Sequence, residues 1–417
     1  MRMLYTALLA LLTPLIVLRL WAKGRVQPAY RQRIGERFAY VPTHPVAVWV
    51  HAVSVGESLA ALPLIEALIA RHGAGQVWVT TTTPTGSERI AAALGARAIH
   101  TYAPYDLPHV VARFLNRAQP RQVVVMETEL WPNLFHALKA RGIPLTIANA
   151  RLSPRSFKGY SKVAGFTRSV LASVRTVAAQ SALDAERFTA LGARNVQVMG
   201  NLKFDLALPA EPQPLTALIT TRWPAARRVW AAVSTHGGEE DVVLDAHRAL
   251  LQHDPAALLI LVPRHPQRFE AAAALIRAKG LAFQLRSTLA RAGTEVQPAS
   301  ILLGDSMGEV MAYLASARIA FVGGSLVPVG GHNVLEPAAL GLPVLFGPHM
   351  HNFLDARELL LAATAAREIT DAGSLCAALL DWLPLQPAAE HTARSVRAAA
   401  AVAANRGALQ KLLALLA

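Results

Sequence analysis

Short apolar runs alternate with helical stretches along the whole chain, and this alternation limits the fold more than any other feature. In the first half the runs are residues 46–52, 77–82, 122–126, 145–148, 176–179 and 196–199. In the second half they are residues 229–233, 258–262, 301–303, 319–322 and 343–346. Continuous apolar runs between helices indicate parallel strands buried on both faces of a sheet. Two such series predict an α/β protein with two Rossmann-like, doubly wound domains.

The length of the chain and the position of its prolines predict how these strands are divided. A single core rarely grows beyond about 250–300 residues, whereas this chain has 417. Residues 206–224 contain four prolines and no strand-like run, which is typical of a linker. We therefore predict an N-terminal domain over residues 26–205, a linker over 206–228 and a C-terminal domain over 229–387. The Ala- and Leu-rich residues 388–417 predict a closing C-terminal helix.

The N-terminus has the composition of a membrane anchor. Residues 3–18 are almost wholly apolar, and no cleavage site of small residues follows them. These sixteen residues extend roughly 24 Å as a helix, slightly less than a hydrocarbon core. Residues 1–25 are therefore predicted to form an uncleaved anchor that crosses the membrane or lies shallowly in it, with a buried helix of a soluble protein as the alternative. Basic residues that keep the remaining chain on the cytoplasmic side and attract anionic lipids are Arg19, Lys23, Arg25, Arg31, Arg33 and Arg37.

The overall charge narrows the class of partner. The chain has 41 Lys and Arg against 27 Asp and Glu, a net charge of +14. A charge of this size favours a polyanionic partner, either anionic lipid or a phosphorylated substrate. Nucleic acid is disfavoured, because aromatic residues are sparse and do not alternate with basic ones. The single cysteine, Cys376, excludes an intrachain disulfide and fits a reducing compartment.

Open parallel sheets bind ligands beyond the carboxyl ends of their strands, so residues that follow the runs are candidate site residues. Glu57 begins a helix predicted over residues 58–70, where a carboxylate can take a proton from a hydroxyl. Glu127 and Glu129 would point to opposite sides of an extended backbone, so at most one is expected to face the ligand. Lys203 can stabilise charge on an anionic donor. All four can instead be helix-start or salt-bridged loop residues.

The most specific motif is Gly330-Gly-His-Asn-Val-Leu-Glu336-Pro, which Gly341 and Pro343 follow. Its glycines allow backbone amides to approach a phosphate, and a helix predicted over residues 333–340 turns its positive end to that anion. Glu336 can accept hydrogen bonds from both ribose hydroxyls. This order of features predicts a sugar-nucleotide site, with a helix capped by Asn333 as the alternative.

Residues after other strands of the second half complete the predicted nucleotide site. Arg264 can bind the base, phosphate or carboxylate of a donor, with His265 in support. The hydroxyl groups of Ser234 and Thr235 can bind the phosphate. The backbone groups of Gly308 and Glu309 can bind the edge of the base.

Motifs for metal chemistry are lacking in the sequence. There is no Asp-x-Asp after a strand, no cysteine cluster and no His-Glu-x-x-His. His349 and His351 have a spacing that only weakly favours a metal. The sequence therefore predicts chemistry without a metal ion.

Nine segments, in order along the chain, carry a resemblance to one family. They are residues 4–9 (Leu-Tyr-Thr-Ala-Leu-Leu), 51–57, 82–89, 126–133, 149–153, 201–205, 234–240, 261–268 and 323–346. Together they resemble the 3-deoxy-D-manno-octulosonic acid (Kdo) transferases of lipopolysaccharide synthesis. The resemblance implies a GT-B fold, in which two Rossmann-like domains face a central cleft. It also implies transfer of Kdo from CMP-Kdo to the 6′-hydroxyl of a lipid A precursor (lipid IVA) at the inner membrane, with inversion and without metal or cofactor.

The resemblance further implies roles for individual residues. The general base falls on Glu57, and the groups that stabilise the transition state fall on Glu127 and Lys203. The contacts to CMP fall on Pro263, Arg264, Met307, Gly308, Glu309, Asn333, Val334, Leu335 and Glu336. The irregular segment 286–300 carries no expected site residue.

Three alternatives share parts of this pattern. A UDP-sugar transferase that acts on a lipid would call for more contacts to a diphosphate. A sugar-nucleotide 2-epimerase would have no use for an apolar N-terminus. A catalytically silent membrane scaffold would account for the anchor and the charge, but not for Glu57, Lys203 or the motif that begins at Gly330.

Overall fold

The computed structural model describes residues 1–206, 208, 211, 213–223, 227–289, 299–383 and 389–417. The chain divides into two compact units, Met1–Asp205 with Asn405–Ala417 and Leu206–Ala404. Parts of the regions predicted above lie outside the described residues. These are residues 207, 209–210, 212 and 224–226 of the linker, 290–298 of the irregular segment, and 384–388 at the junction of the C-terminal domain and the tail.

Seven parallel strands form the sheet of the first unit, in the order β3-β2-β1-β4-β5-β6-β7. They are β1 (Val48–His51), β2 (Val77–Thr81), β3 (Ile99–Tyr102), β4 (Gln122–Met126), β5 (Leu145–Ala150), β6 (Thr176–Ala179) and β7 (Val196–Val198). Trp49 packs into one core cluster, whereas its neighbours Val48 and Val50 pack into another. Because successive side chains of a strand point to opposite faces, both faces of this sheet are covered. This is why the strands are continuous apolar runs.

Helices flank this sheet. They are α1 (Arg2–Lys23), α2 (Val55–His72), α3 (Pro84–Leu94), α4 (Pro108–Ala118), α5 (Pro132–Ala140), α6 (Pro154–Ser161), α7 (Ala164–Leu171) and α8 (Ala182–Ala190). Short 3₁₀ turns occupy Pro28–Arg31, Ile34–Phe38, Gly95–Arg97 and Leu202–Phe204. Among the described residues, α1 is the helix long and apolar enough to cross a membrane, with a mean hydropathy of 2.0.

The second unit repeats the plan with seven parallel strands in the order β10-β11-β9-β8-β12-β13-β14. They are β8 (Val229–Thr235), β9 (Leu258–Pro263), β10 (Phe283–Leu285), β11 (Ile301–Leu303), β12 (Ile319–Val322), β13 (Val344–Phe346) and β14 (Ala366–Glu368). Its helices are α9 (Pro214–Arg222), α10 (Glu239–His253), α11 (Phe269–Ala278), α12 (Arg286–Leu289), α13 (Val310–Ala315), α14 (Leu335–Ala339), α15 (Leu354–Ala362), α16 (Ala372–Trp382) and α17 (Ala389–Ala404). A 3₁₀ turn, Pro266–Arg268, precedes α11.

The tail and the linker differ from their predicted structures. The tail forms two helices instead of one, α17 and α18 (Ala408–Leu415), because Gly407 adopts a left-handed conformation with φ of 100°. The Asp205 carboxylate accepts the N–H groups of Gly407 and Leu409, each at 2.6 Å, and so holds the start of α18 in the first unit. Helix α9 lies within the segment that we predicted as a linker.

The two sheets place their first strand at equivalent positions. β1 lies between β2 and β4, and β8 lies between β9 and β12. One neighbour of each first strand is the next strand in sequence, β2 or β9. The other neighbour is a strand that comes later in the chain, β4 or β12. This is the switch point of a doubly wound sheet, where ligands bind at the carboxyl ends of the strands.

Candidate active site

Glu57 lies in the first turn of α2, directly after the carboxyl end of β1. The hydroxyl of Ser54 caps this helix and accepts the N–H of Glu57 at 3.2 Å. In return the Glu57 carboxylate accepts the N–H of Val53 at 2.8 Å and that of Ser54 at 3.3 Å. The helix therefore begins at Val55, three residues before the predicted start. These reciprocal bonds fix the conformation of a side chain that is only 7% exposed.

The cap leaves Glu57 able to accept another proton donor. Each of its two carboxylate oxygens accepts one backbone N–H. Since a carboxylate oxygen has two lone pairs, each retains one acceptor position. Glu57 thus combines the helix-start role, which was the alternative interpretation, with the chemistry that a general base requires.

Glu127 and Glu129 follow β4 in a turn and not in an extended backbone. Glu127 has a φ of 55°, a left-handed conformation that is uncommon for a residue with a side chain. The assumption of an extended backbone is therefore wrong at Glu127, and which of the two carboxylates faces the ligand stays a prediction. The negative charge of Glu57 acts on both of them.

The Glu127 carboxyl has both acidic and basic neighbours. Burial raises its pKa, and the charge of Glu57 raises it further. The cations of Lys203 and Arg151 oppose this shift. A group in this setting responds strongly to a change of charge beside it, which is typical of catalytic sites.

Glu129 is fixed by an aromatic neighbour. Trp131 Nε1 donates to its carboxylate at 2.9 Å, and the Trp131 ring meets the ring of His51 edge to face, with centroids 4.8 Å apart. His51, the last residue of β1, is buried, and burial lowers its pKa to about 4. Its Nδ1 is 2.8 Å from the hydroxyl of Thr80, whereas Nε2 has no hydrogen-bond partner among the described residues. His51 was not predicted as a site residue, although it ends a strand and begins the resembling segment 51–57.

Lys203 lies in the 3₁₀ turn Leu202–Phe204, which two asparagines hold. Asn201 Oδ1 accepts the N–H of Lys203, and Asn149 Oδ1 accepts the N–H of Leu202, each at 3.0 Å. Asn149 has a φ of 53°, a conformation that asparagine tolerates better than most residues. The turn after β7 is thereby tied to the end of β5, and this brings the Lys203 cation within electrostatic reach of Glu127.

In the second unit, the end of β8 forms a bulge. Ser234 has a φ of 58°, and the pairing of β8 with β9 shifts register there. The hydroxyl of Thr235 is fully buried and donates to Glu240 at 3.4 Å. This differs from the prediction for Thr235, because its hydroxyl is engaged inside the unit and not directed at a phosphate. Ser234 is half-buried at the same strand end.

A buried carboxylate organises the loop after β12. Glu239 Oε2 accepts the N–H of His236 at 2.9 Å and of Gly324 at 2.7 Å. Glu239 Oε1 accepts the N–H of Ser325 at 3.0 Å and of Leu326 at 2.9 Å. One side chain therefore joins the ends of β8 and β12 at the switch point. Glu239 was not predicted as a site residue, because three of its four partners are more than 80 residues away in the chain.

The two glycines of the Gly330 motif serve close packing. A Cβ on Gly330 would lie 2.4 Å from Asn352 Nδ2, and a Cβ on Gly331 would lie 2.3 Å from Met350 Sδ. The N–H of Gly331 donates to Gly324 O at 2.7 Å. The predicted approach of this amide to a phosphate is therefore wrong, because the amide already has a partner.

Histidines and an arginine line the same region. His332 Nε2 is 2.8 Å from His236 Nε2, with the two rings stacked, and His265 meets His236 edge to face. Burial, together with the positive charge of Arg264, lowers the pKa of His332 to about 4. Arg264 follows Pro263, the last residue of β9, and its N–H donates to Thr235 O at 2.9 Å.

The helix of the motif is shorter than predicted. It spans only Leu335–Ala339, so the predicted helix-end charge is weak. Asn333 nevertheless caps its start: Oδ1 accepts the N–H of Leu335 at 3.0 Å, and Nδ2 donates to Glu336 at 3.1 Å. Burial raises the pKa of Glu336, while this bond and Arg264 oppose the shift. Val334 and Leu335 are buried, so their side chains face the core and their backbone remains as the predicted contact.

The loop after β11 contains Met307, which is 49% exposed, and Gly308, which has a φ of 83°. Glu309 forms a bidentate ion pair with Arg286, at 2.6 and 2.9 Å. The hydrogen bonds from Arg286 lower the pKa of Glu309. Segment 286–300, in which no site residue was expected, thus contributes Arg286, which holds the predicted site residue Glu309. Arg286 was missed because the pair joins residues 23 positions apart.

Among the residues that the structure describes, no group of three or more His, Cys, Asp or Glu side chains could hold a metal ion.

Comparison with known proteins identifies the family. A family profile described as 3-Deoxy-D-manno-octulosonic-acid transferase (kdotransferase) matches residues 32–206. The 3-deoxy-D-manno-octulosonic acid transferase of Haemophilus influenzae is 40% identical over 422 residues, covering 100% of this chain and 98% of that protein. The protein of the same name from Bordetella pertussis is 40% identical over 430 residues, covering 98% and 97%.

Solved structures show the fold independently. The UDP-GlcNAc 2-epimerase of Neisseria meningitidis is similar with a TM-score of 0.55 and 13% identity, over 89% of this chain and 99% of that one. At such low identity the likeness shows the fold alone. With the two parallel seven-stranded sheets, it defines a GT-B fold, as predicted. The chain belongs to the 3-deoxy-D-manno-octulosonic acid transferase family, which confirms the resemblance seen in the sequence and makes it a glycosyltransferase.

Proposed function

We propose that this enzyme transfers Kdo from CMP-Kdo to the 6′-hydroxyl of a lipid A precursor (lipid IVA), with inversion and without a metal ion. Membership of the family supports Kdo as the transferred sugar. The observation that carries the proposal is the position of Glu57 at the switch point of the first sheet, where it interacts electrostatically with Glu127 and Glu129. The acceptor, its hydroxyl and the stereochemistry rest on the resemblance.

Glu57 is proposed as the general base. The acceptor hydroxyl gives its proton to Glu57 as the oxygen forms a bond to the anomeric carbon of Kdo. The bond between that carbon and the phosphate oxygen breaks, and CMP leaves with the electron pair. A single displacement of this kind inverts the anomeric centre. Each oxygen of Glu57 retains one acceptor position beside its bond to backbone N–H, which allows it to receive the proton.

Glu127 and Lys203 are proposed to stabilise the transition state. The anomeric carbon gains positive charge as CMP leaves, and the donor carries a carboxylate and a phosphate. The Glu127 carboxylate can stabilise the positive charge on the anomeric carbon. The Lys203 ammonium group can stabilise the negative charges of the donor carboxylate and phosphate. The electrostatic interaction of Lys203 with Glu127 supports a shared place of action for these two residues.

The second unit is proposed to bind CMP. Arg264 supplies a cation for the phosphate, and the buried Glu336 accepts hydrogen bonds from ribose hydroxyls. Because the side chains of Thr235 and Glu309 are engaged, their contacts to the nucleotide come from the backbone. The remaining proposed contacts are Ser234, Pro263, Met307, Gly308, Asn333, Val334 and Leu335. A leaving group with a single phosphate has less charge to neutralise than a diphosphate, which favours chemistry without a metal.

The enzyme is proposed to act at the cytoplasmic face of the inner membrane. Helix α1 is apolar, and exposed basic residues follow its centre. The net charge of +14 suits both anionic lipids and a phosphorylated glycolipid.

The test is a product assay with the purified full chain. We expect CMP to appear from CMP-Kdo only when lipid IVA is present, also with a metal chelator, and a mass increase of the lipid equal to added Kdo. Nuclear magnetic resonance of the product identifies the acceptor oxygen and the anomeric configuration. Turnover of a UDP-sugar with no release of CMP would overturn the proposal, as would a product with retained configuration.

A further inference from the structure

One face of helix α1 is partly covered by the protein. Its half-buried or buried side chains recur every three or four residues: Tyr5, Thr6, Leu9, Thr13, Ile16, Val17 and Leu20. This periodicity defines one stripe on a helix. Leu9 packs against the core cluster that contains Phe114 and Trp49. A helix that left the domain to enter a bilayer would not need such a stripe.

Hydrogen bonds fasten the first turns of α1 to the start of α5. The hydroxyl of Thr6 donates to Asn133 Oδ1 at 3.1 Å, and Asn133 Nδ2 lies 2.9 Å from the same hydroxyl. The Tyr5 side chain interacts electrostatically with Asp106. Asp106 also accepts the N–H groups of Asn133 at 3.0 Å and Leu134 at 2.7 Å, so it caps α5. We call these contacts the α1 latch, defined by Tyr5, Thr6, Asp106 and Asn133.

The opposite face of α1 is apolar and exposed. Its leucines are 54% to 74% exposed and are spaced four, three, four and three residues apart: Leu4, Leu8, Leu11, Leu15 and Leu18. That spacing aligns them on one side of the helix. An exposed apolar stripe of this length is typical of a helix that lies in a membrane interface.

Positive charge is present at both ends of α1. Arg2 is exposed at its start, and Arg19 and Lys23 are exposed in its last turns. Beyond it, the guanidinium of Arg31 lies 4.2 Å from the ring centre of Trp21. Cations at both ends suit a helix parallel to an anionic surface, whereas a spanning helix would place Arg2 on the side opposite to the others.

We propose that α1 lies in the plane of the cytoplasmic leaflet, with the five leucines inserted among anionic phospholipids and the α1 latch holding the helix on the domain. This inference rests on the membrane location proposed above. The distance along the helix argues against a spanning anchor. From Lys23 to Tyr5 a helix rises roughly 27 Å, so a spanning α1 would carry Tyr5 and Thr6 across the bilayer, away from Asp106 and Asn133.

Cross-linking in membranes tests the latch. In a Cys376→Ala background, Thr6→Cys with Asn133→Cys puts two thiols where side chains are now in hydrogen-bond contact. Oxidation of isolated membranes is expected to give an intrachain disulfide in most of the protein. The matched control, Leu8→Cys with Asn133→Cys, is expected to give none, because Leu8 lies on the exposed face. Equal cross-linking of both pairs, or of neither, would overturn the latch.

Labelling from one side of the membrane tests the orientation without disturbing a contact. Met3 is 77% exposed, so Met3→Cys leaves the packing intact. In vesicles with the periplasmic side outward, a membrane-impermeant maleimide is expected to label this cysteine only after the vesicles are opened. Labelling of intact vesicles would show a spanning helix and overturn the proposal. Recovery of the protein in the soluble fraction would instead overturn the membrane location on which it rests.

Discussion

The switch points of the two sheets have the same topology but opposite chemistry. At the first, between β1 and β4, three carboxylates gather: Glu57, Glu127 and Glu129. At the second, between β8 and β12, the buried Glu239 is fully occupied by backbone N–H groups, and cationic Arg264 and neutral histidines lie nearby. The shared topology determines where a ligand can bind. On the basis of the residue types at the strand ends, we propose proton removal at the first switch point and anion binding at the second.

The largest effect expected from this difference is on catalysis. Glu57→Gln is expected to lower kcat by about 10²–10⁴, the usual contribution of a general base, while CMP affinity is unchanged. Glutamine keeps one of the two acceptor oxygens at the helix start, and thermal unfolding checks that the fold is retained. Turnover with lipid IVA and calorimetric titration with CMP measure the two effects. The control is Glu66→Gln on the same helix, where the carboxylate is exposed and paired with Arg97; equal losses in both variants would contradict the assignment.

The second effect should be confined to nucleotide binding. Arg264→Ala is expected to weaken CMP binding by about 10- to 150-fold, which corresponds to a charge-assisted hydrogen bond of about 1.5–3 kcal/mol. Thermal unfolding should change little. Arg277→Ala, an exposed arginine of the same unit, is the control. An unchanged dissociation constant in Arg264→Ala would remove this residue from the phosphate site.

A third comparison concerns the space at the two switch points. A Cβ on Gly323 would lie 2.5 Å from Ser234 O and 2.7 Å from Thr235 Cα, both backbone atoms. Gly323→Ala is therefore expected to destabilise the protein by about 1–3 kcal/mol, as overpacking does. Gly56, at the first switch point, has only Ser54 Oγ nearby, at 3.8 Å. Gly56→Ala should be neutral or slightly stabilising in urea unfolding, because alanine favours a helix. Similar losses in the free energy of unfolding of both variants would contradict the expected difference in packing at the two glycines.

The smallest effect expected is a pH dependence in the second unit. His247 is neutral: Trp230 Nε1 donates to its Nδ1 at 3.3 Å, its Nε2 is 2.9 Å from Ser300 O, and burial lowers its pKa to about 4. Between about pH 4 and the ordinary histidine pKa near 6.5, the folded state thus binds fewer protons than the unfolded state. The contribution of neutral His247 to the free energy of unfolding is therefore lost as pH falls through that range.

Removal of the titrating ring isolates this contribution. In His247→Phe the loss of stability between pH 6.5 and 4.5 should be smaller than in the wild type, by up to about 1.4 kcal/mol per pH unit. Asp106 acts in the opposite sense, because burial raises its pKa to about 6 and its contribution is lost as pH rises. The difference between the two proteins in urea unfolding at several pH values is therefore the quantity to measure. Identical pH slopes would show that His247 does not titrate on unfolding.

The central strands could be predicted because burial on both faces makes them continuous apolar runs. β3, β10 and β14 were not predicted. Each has three or four residues, and polar side chains interrupt the apolar pattern, as His100 and Thr101 do in β3. They lie at or near a sheet edge, where burial imposes less on the sequence.

The candidate site was predictable where one residue follows a strand, as Glu57 does. The site was less predictable where the backbone conformation, or pairing with a residue distant in the chain, determines the position of a side chain. The left-handed φ of Glu127 turns the backbone after β4, where the apolar pattern of the strand predicts an extended chain. Glu239 and Arg286 act on loops far away in the chain. The catalytic roles carried over from the family remain predictions that the variants above test.

Glu239 orders the loop after β12, which lies beside the proposed nucleotide site. Four backbone N–H groups converge on the Glu239 carboxylate. The protein's own carboxylate thus takes the position that a bound anion would otherwise have to occupy to order the loop after β12. The loop after β12 is therefore shaped before any donor arrives. At the donor site proposed above, binding would then lose little conformational entropy in this loop, and more of the contact energy with the donor would remain as affinity.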